Sequence, residues 1–257
     1  MKNFRLNSFK ERIGQNSLLR PLDILLVGAT GVGKSSTINA LFGSEIAKVG
    51  YGVDPETQHI KDYSFHDYLR IHDSTGLGDG KEADTQHTKN IVSKLLHKID
   101  SGDAFIDLAF VILDASSRDM GTTFNLLVQT VLPNIDPDRV IVAINQADML
   151  MKGTNWDTEL NKPNNELLSL LDEKAISAQK RIQESTGLTV KKPVYYSARH
   201  NYNLDALFDH IICHIPTQRR LVVKKVINKV AGNALLEAKV LYKNSYYTRG
   251  SYYTRGQ

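Results

Sequence analysis

The sequence predicts an α/β domain, and three observations predict it. Short apolar runs of strand length alternate with amphipathic helical stretches over Asp23–Pro216. The first run, Ile24–Val27, leads into Gly28-Ala-Thr-Gly-Val-Gly-Lys34-Ser35 and then into a helical pattern that stops at Gly43. Two later runs end in polar motifs, Asp73-Ser-Thr-Gly76 and Asn145-Gln146-Ala147-Asp148.

The stretch Leu22–Gly43 organises the rest. Its loop fits G-x-x-x-x-G-K-[ST] between a strand and a helix, the context a phosphate-binding P-loop needs. Glycines let backbone N–H groups turn toward phosphate oxygens, and the helix N-terminus adds a favourable dipole. Gly28, Ala29, Thr30, Gly31, Val32, Gly33, Lys34, Ser35 and Ser36 are therefore expected around a nucleotide's phosphates. Lys34 suits the β- and γ-phosphates, and the Ser35 hydroxyl suits Mg2+.

Ser44–Ile60 reads as a loop, and Thr57 stands in it. A loop threonine here can supply a second Mg2+ ligand that lets go when the γ-phosphate leaves. Lys61–Asp67 and Tyr68–His72 show period-two patterning and read as adjacent strands. The second runs into Asp73, expected to hold a Mg2+-bound water, and Gly76, whose N–H is expected on the γ-phosphate. Leu77 follows, where related switch proteins carry a water-orienting glutamine. Leucine has no polar group, so hydrolysis is expected to be slow. Otherwise it draws that group from His59, Asp79, a partner or a second subunit in a nucleotide-dependent dimer.

Asp84–Ile99 carries a helical stripe, and Ala104–Leu113 reads as a central parallel strand. Asp119–Leu132 is amphipathic, and Val140–Ile144 is another buried strand. It ends in Asn145-Gln146-Ala147-Asp148. An aspartate there can accept bonds from guanine N1–H and the 2-amino group, which adenine does not offer. Asn145 is expected to brace this loop against the P-loop. Gln146 replaces the usual lysine, whose stem covers the base. Met149–Asn165 is a polar loop with Trp156, which is expected to pack locally, or else to cover the base or meet a partner. Glu166–Glu184 is a long amphipathic helix. Lys192–Tyr196 is the sixth strand, followed by Ser197-Ala198-Arg199, and the Ala198 N–H is placed for guanine O6. Leu204–His214 is a final helix. Cys213, beside Ile211 and Ile212, is expected in the core.

The 257 residues suffice for one large domain with tails, and a single cysteine excludes an internal disulfide. No signal peptide is expected, because Met1–Arg20 is basic without a continuous apolar run. The net charge of +4 hides an asymmetry: residues 1–20 carry +4, 21–216 carry −8 and 217–257 carry +8. Basic ends on an acidic body suit RNA or an anionic membrane surface, or are solvated tails. We therefore divide the chain into an N-terminal basic helix or arm (1–20), a main domain (21–216) and a basic C-terminal tail (217–257). Around Phe4–Ile13 an amphipathic helix is expected, docked on the domain or frayed. Thr217–Tyr242 reads as a basic amphipathic helix weakened at Gly232-Asn233. The six residues SYYTRG then occur twice, at 245–250 and 251–256, as in a disordered terminus.

Five landmarks stand in order: GATGVGKS, Thr57, DSTG, NQAD and SAR. The set resembles the Era/TrmE-type GTPases of the translation-factor class. Within that class it is most similar to the YfjP/YeeP group of bacterial GTP-binding proteins. The resemblance implies a P-loop NTPase with a six-stranded, mostly parallel sheet and helices on both faces. It also implies GTP and GDP as ligands, Mg2+ as cofactor, and a cytoplasmic switch that hydrolyses GTP. Lys34, Thr57 and Gly76 would carry the chemistry. Asn145, Gln146, Asp148, Ser197 and Ala198 would hold the base. Gly31 stands where Era and TrmE proteins place an asparagine that holds K+, which leaves K+ dependence open. A glycine-rich loop and a hydrophobic residue at position 77 also resemble the immunity-related and Toc-type GTPases, so a peripheral membrane setting stays open. Leu77 also leaves open a nucleotide-gated interaction module with negligible turnover, binding RNA, the ribosome or a membrane.

Overall fold

The structure, a computed structural model, describes residues 2–15, 21–43, 48–50, 60–65, 68–74, 81–117 and 121–222. Strand β1 (Leu22–Val27) is buried at all six positions, Asp23 as fully as its five apolar neighbours. It lies in parallel between β4 (Leu69–Ser74) and β5 (Leu108–Asp114). Strand β6 (Val140–Asn145) and the short β9 (Val194–Tyr195) extend the parallel side. On the other side β3 (Ile60–Phe65) runs antiparallel to β4, and β2 (Lys48–Gly50) antiparallel to β3. The order is β2-β3-β4-β1-β5-β6-β9. Among the described residues the sheet thus has seven strands where the sequence suggested six. The added strand is β2, three residues inside the stretch read as a loop.

Alternation along β1 sorts the core into two layers. Leu22, Ile24 and Leu26 pack with Ile38, Leu41 and Phe42 of α2 (Lys34–Phe42) and Leu207, Phe208 and Ile211 of α6 (Leu204–Ile212). Ile13 of α1 (Lys2–Gln15) is buried in the same layer, so this helix is docked on the domain. Burying one such side chain is worth about 1.5–3 kcal/mol. Leu25 and Val27 face Ile91 and Leu95 of α3 (Lys81–Leu96) and Phe124 of α4 (Gly121–Leu126). Leu167, Leu171, Ala175 and Ile182 of α5 (Asn165–Thr186) complete that layer.

The long α5 is capped at both ends. Asn164 Oδ1 accepts from Leu167 N–H at 2.9 Å, and Gly187 at φ 69° ends it in the left-handed conformation. Helix α4 passes into a π-turn over Leu127–Val131. The stretch after β6 is not plain loop. It holds a 3-10 segment (Ala147–Gly153) and a hairpin of β7 (Trp156–Asp157) and β8 (Lys162–Pro163).

Two sequence expectations are corrected. Thr217–Val222 is not the start of a helix; it is irregular chain that turns Arg219, Arg220 and Val222 into the domain and leaves Thr217, Gln218 and Leu221 exposed. Arg219 donates to both oxygens of fully buried Asp107 at 3.1 Å. Arg220 is buried and donates to Asn134 O at 2.9 Å and to Leu95 O. The Ala104 N–H donates to Arg220 O at 2.7 Å. Carbonyls and a carboxylate inside the domain take the guanidinium groups out of water. Cys213 is exposed, because the inward face of α6 ends at Ile211 and resumes at His214 and Ile215. The remainder of the expected helix and both SYYTRG copies lie outside the described residues. Among the described residues, no helix is long and apolar enough to cross a membrane.

Candidate functional site

Parallel strands deliver their C-terminal ends to one edge, and the loop after β1 opens there. Gly31 (φ 83°) and Gly33 (φ 91°) bend it through the left-handed region. Gly28 is needed for space: a Cβ there would meet Val32 Cγ2 at 2.8 Å and Ile112 O at 3.2 Å. Lys34 opens α2 and folds its ammonium back over the loop, donating to Gly28 O at 2.8 Å and Ala29 O at 3.3 Å. Burial pulls its pKa below the usual lysine value, against the opposing charge of Asp73. Ser35 and Ser36 are exposed in the first turn, as are Thr30 and Gly31 at the loop's outer bend. The Ala29 N–H is not turned to a ligand; it donates to Thr123 Oγ1 at 2.9 Å.

Helix α2 is held beneath the loop by a buried relay. Thr37 Oγ1 donates to Gly33 O at 2.8 Å and therefore accepts from Tyr196 OH, 2.7 Å away. Complete burial pushes the Tyr196 hydroxyl pKa far up, so it remains a neutral donor.

Asp73 is next to last in β4, buried, and paired in register with Leu26 of β1. Strand pairing thus brings its carboxylate to the edge where the P-loop begins. Thr57, Gly76 and Leu77 lie outside the described residues, as do His59 and Asp79.

Asn145 joins the two ends of the site. Its Nδ2 donates to Val32 O at 2.8 Å, and its Oδ1 accepts from Ala198 N–H at 3.0 Å. So the Ala198 N–H, expected at guanine O6, is here engaged by Asn145. Gln146 takes a left-handed φ of 62° and donates from Nε2 to Gly31 O at 2.8 Å. It spans to the P-loop as a second brace. Asp148 is buried, with 4% exposure, at the mouth of the same turn. Ser197 is fully buried, and its Oγ accepts from His200 N–H at 3.2 Å.

The sequence reading missed His200 and Asn161, while Trp156 packs locally as expected. His200 Nε2 lies 3.6 Å from Asp148 Oδ2. Its ring is 5.0 Å from that of Trp156, which also meets Tyr202 edge-on at 5.3 Å. Every non-glycine residue with left-handed φ among the described residues falls in 146–203. Four of these are asparagines, which tolerate that conformation; Gln146, Met151 and Lys152 tolerate it less. Asn155, Asn161, Asn201 and Asn203, in the two loops that flank α5 and β9, were the available signal that these loops are built rather than loose.

The sequence pattern of the AIG1 family matches residues 22–184. A stretch of 101 residues is 38% identical to translocase of chloroplast 108 of Physcomitrium patens, covering 38% of this chain and 10% of that protein. Over 147 residues the chain is 27% identical to the tRNA modification GTPase MnmE of Pseudomonas fluorescens, covering 56% of this chain and 31% of that protein. The match thus spans a tenth to a third of these relatives. The fold is that of Toc33 from Arabidopsis thaliana, solved with GDP and Mg2+, at a TM-score of 0.56 and 14% identity. That likeness covers 86% of this chain and 94% of Toc33.

Proposed function

The chain belongs to the AIG1 family, a family of P-loop GTPases, and from that premise we propose a slow GTP-driven switch. It hydrolyses GTP to GDP and phosphate. Water adds to the γ-phosphorus, and the β–γ bridging oxygen leaves with GDP. The observation that carries this reading is the Asn145 side chain, which fastens the base-reading turn to the phosphate loop. Lys34 swings from Gly28 O and Ala29 O onto the phosphates. Asp148 accepts from the guanine edge, and Asn145 and Gln146 hold the loops in register. Ala198 N–H reaches guanine O6 by sharing or releasing its bond to Asn145.

Hard oxygen donors at the site suit Mg2+: the exposed Ser35 hydroxyl and the buried Asp73 carboxylate, with Thr57 as the further ligand. When bound, Mg2+ neutralises charge on the β- and γ-phosphates. Gly76 senses the γ-phosphate. Within the GTPase class we assign the chain to the YfjP/YeeP group, on the motif set GATGVGKS, DSTG, NQAD and SAR.

Leu77 favours a second reading, a nucleotide-gated interaction module with negligible turnover. Both readings make the basic ends the partner surface, for RNA or an anionic membrane face on the cytoplasmic side. Arg219 and Arg220 are already engaged inside the domain, so the charge offered falls to the other seven basic residues of 217–257.

Labelled GDP and ADP titrations test the base assignment; equal affinities overturn it. Phosphate release with GTP and Mg2+, compared with Lys34→Ala, separates the two readings. Turnover lost in the variant supports the hydrolase, and equal background in both supports the gated module.

A further inference from the structure

We propose that His200 is a guanine-specificity residue: its Nε2 accepts the second hydrogen of the guanine 2-amino group, the first being donated to Asp148. The inference rests on the guanine reading above and extends it to a residue outside the recognised motifs.

Asn161 Nδ2 lies 2.8 Å from His200 O. A carbonyl oxygen only accepts, so the Asn161 amide is oriented with its NH2 toward it. Its Oδ1 then faces His200 Nδ1 at 3.0 Å, and Oδ1 also only accepts. Nδ1 therefore carries a hydrogen and donates it. In the neutral ring this leaves Nε2 with a bare lone pair. That lone pair lies 3.6 Å from Asp148 Oδ2, acceptor beside acceptor, at the mouth of the base-reading turn.

Such a pair asks for a shared donor. A primary amine has two hydrogens. One amine nitrogen at an ordinary distance of about 2.9 Å reaches both acceptors with only modest bending of each bond. Of the purine edges that fit an N-x-x-D turn, only guanine has an amine there. Adenine has none at that position, and hypoxanthine lacks only this group.

The ring is held for the task. Trp156 lies against it, the Ser197 hydroxyl accepts from the His200 N–H, and Asn161 bonds both ring and backbone. Its side chain keeps 29% exposure, so the ring is not sealed from a ligand.

The test compares GDP, IDP and ADP binding to the full chain with Mg2+, for wild type, His200→Phe and His200→Ala. Phenylalanine keeps the packing on Trp156 and removes both nitrogens. The expected result is GDP affinity about tenfold lower in both variants, one neutral hydrogen bond's worth, with IDP affinity unchanged. An equal fall for GDP and IDP would make His200 structural and overturn the proposal. So would unchanged GDP affinity, or a gain in His200→Phe, which would mark the ring as a competitor for Asp148. A wild type that binds ADP as well as GDP would overturn the base reading itself, and this proposal with it.

Discussion

Gly33 faces Asn145 across the phosphate loop with no room between them for a methyl group. The same glycine sits at φ 91°, where an L side chain is strained. Gly33→Ala therefore meets two penalties. The backbone alone costs about 1–3 kcal/mol, and Asn145 must leave Val32 O to make space. Urea unfolding should show the loss without ligand, and GDP titration a fall in affinity of tenfold or more, on the order of 1.4 kcal/mol.

Asn145 can be probed directly. Asn145→Ala leaves Val32 O and Ala198 N–H without their partner, at about 1–3 kcal/mol for each buried group. Asn145→Asp is the sharper variant. It can still accept from Ala198 but sets an oxygen against Val32 O. Both should destabilise the nucleotide-free protein, as read by urea unfolding. Equal stability of Asn145→Asp and wild type would show that the Val32 bond contributes nothing.

Arg219 is the internal counter-ion of Asp107, which is fully buried. Arg219→Met keeps the apolar stem and removes the charge. Breaking a buried pair by deleting one partner costs about 3–5 kcal/mol. Denaturant midpoints should drop accordingly, while GDP affinity of the folded protein stays within about twofold, a change under 0.5 kcal/mol. Substitution of the exposed Leu221 serves as the comparison and should be near neutral.

His210 and His214 give the protein a pH signature. Burial, then the neighbouring His214 and Lys191, push the His210 pKa down to about 4 from 6.5. Burial also lowers His214, in part offset by its bond to the His210 carbonyl. A histidine with a depressed pKa binds its proton first in the unfolded chain. Stability is therefore full above about 6.5 and falls as pH drops toward 4. The His210 shift, part of it due to His214, corresponds to on the order of 3 kcal/mol across that window. Urea unfolding between pH 7 and 4 should show the slope, and His210→Phe should flatten it.

The elements legible in the sequence are those whose signal is local. β1, the P-loop and α2 follow one another with strand, glycine and helix signals intact, and each folds as read. The stripe of α5 is equally plain. β2 was hidden because three residues beside glycines carry no alternation. Residues 217–222 were misread because Arg219 and Arg220 look like the polar face of a helix. Their partners, Asp107 and Asn134, are far away in sequence, and no periodicity reports a counter-ion. In the site, the motif residues of the P-loop and the N-x-x-D turn meet as expected. The engagement of Ala198 by Asn145 and the setting of His200 by Asn161 depend on loops converging, which a linear reading does not show.

Asp23 and Asp107 exchange backbone and side-chain hydrogen bonds, and Asp23 also receives Arg70 and His72. Burial opposes ionisation of Asp23, yet the bonds from His72 and Arg70 outweigh it and keep its carboxyl below the usual range. Arg219 is the last member of this set to leave the ribosome. A nascent chain that stops before residue 219 lacks the guanidinium that bonds both oxygens of buried Asp107, so the charge balance of this set is completed only when that C-terminal strap has been synthesised.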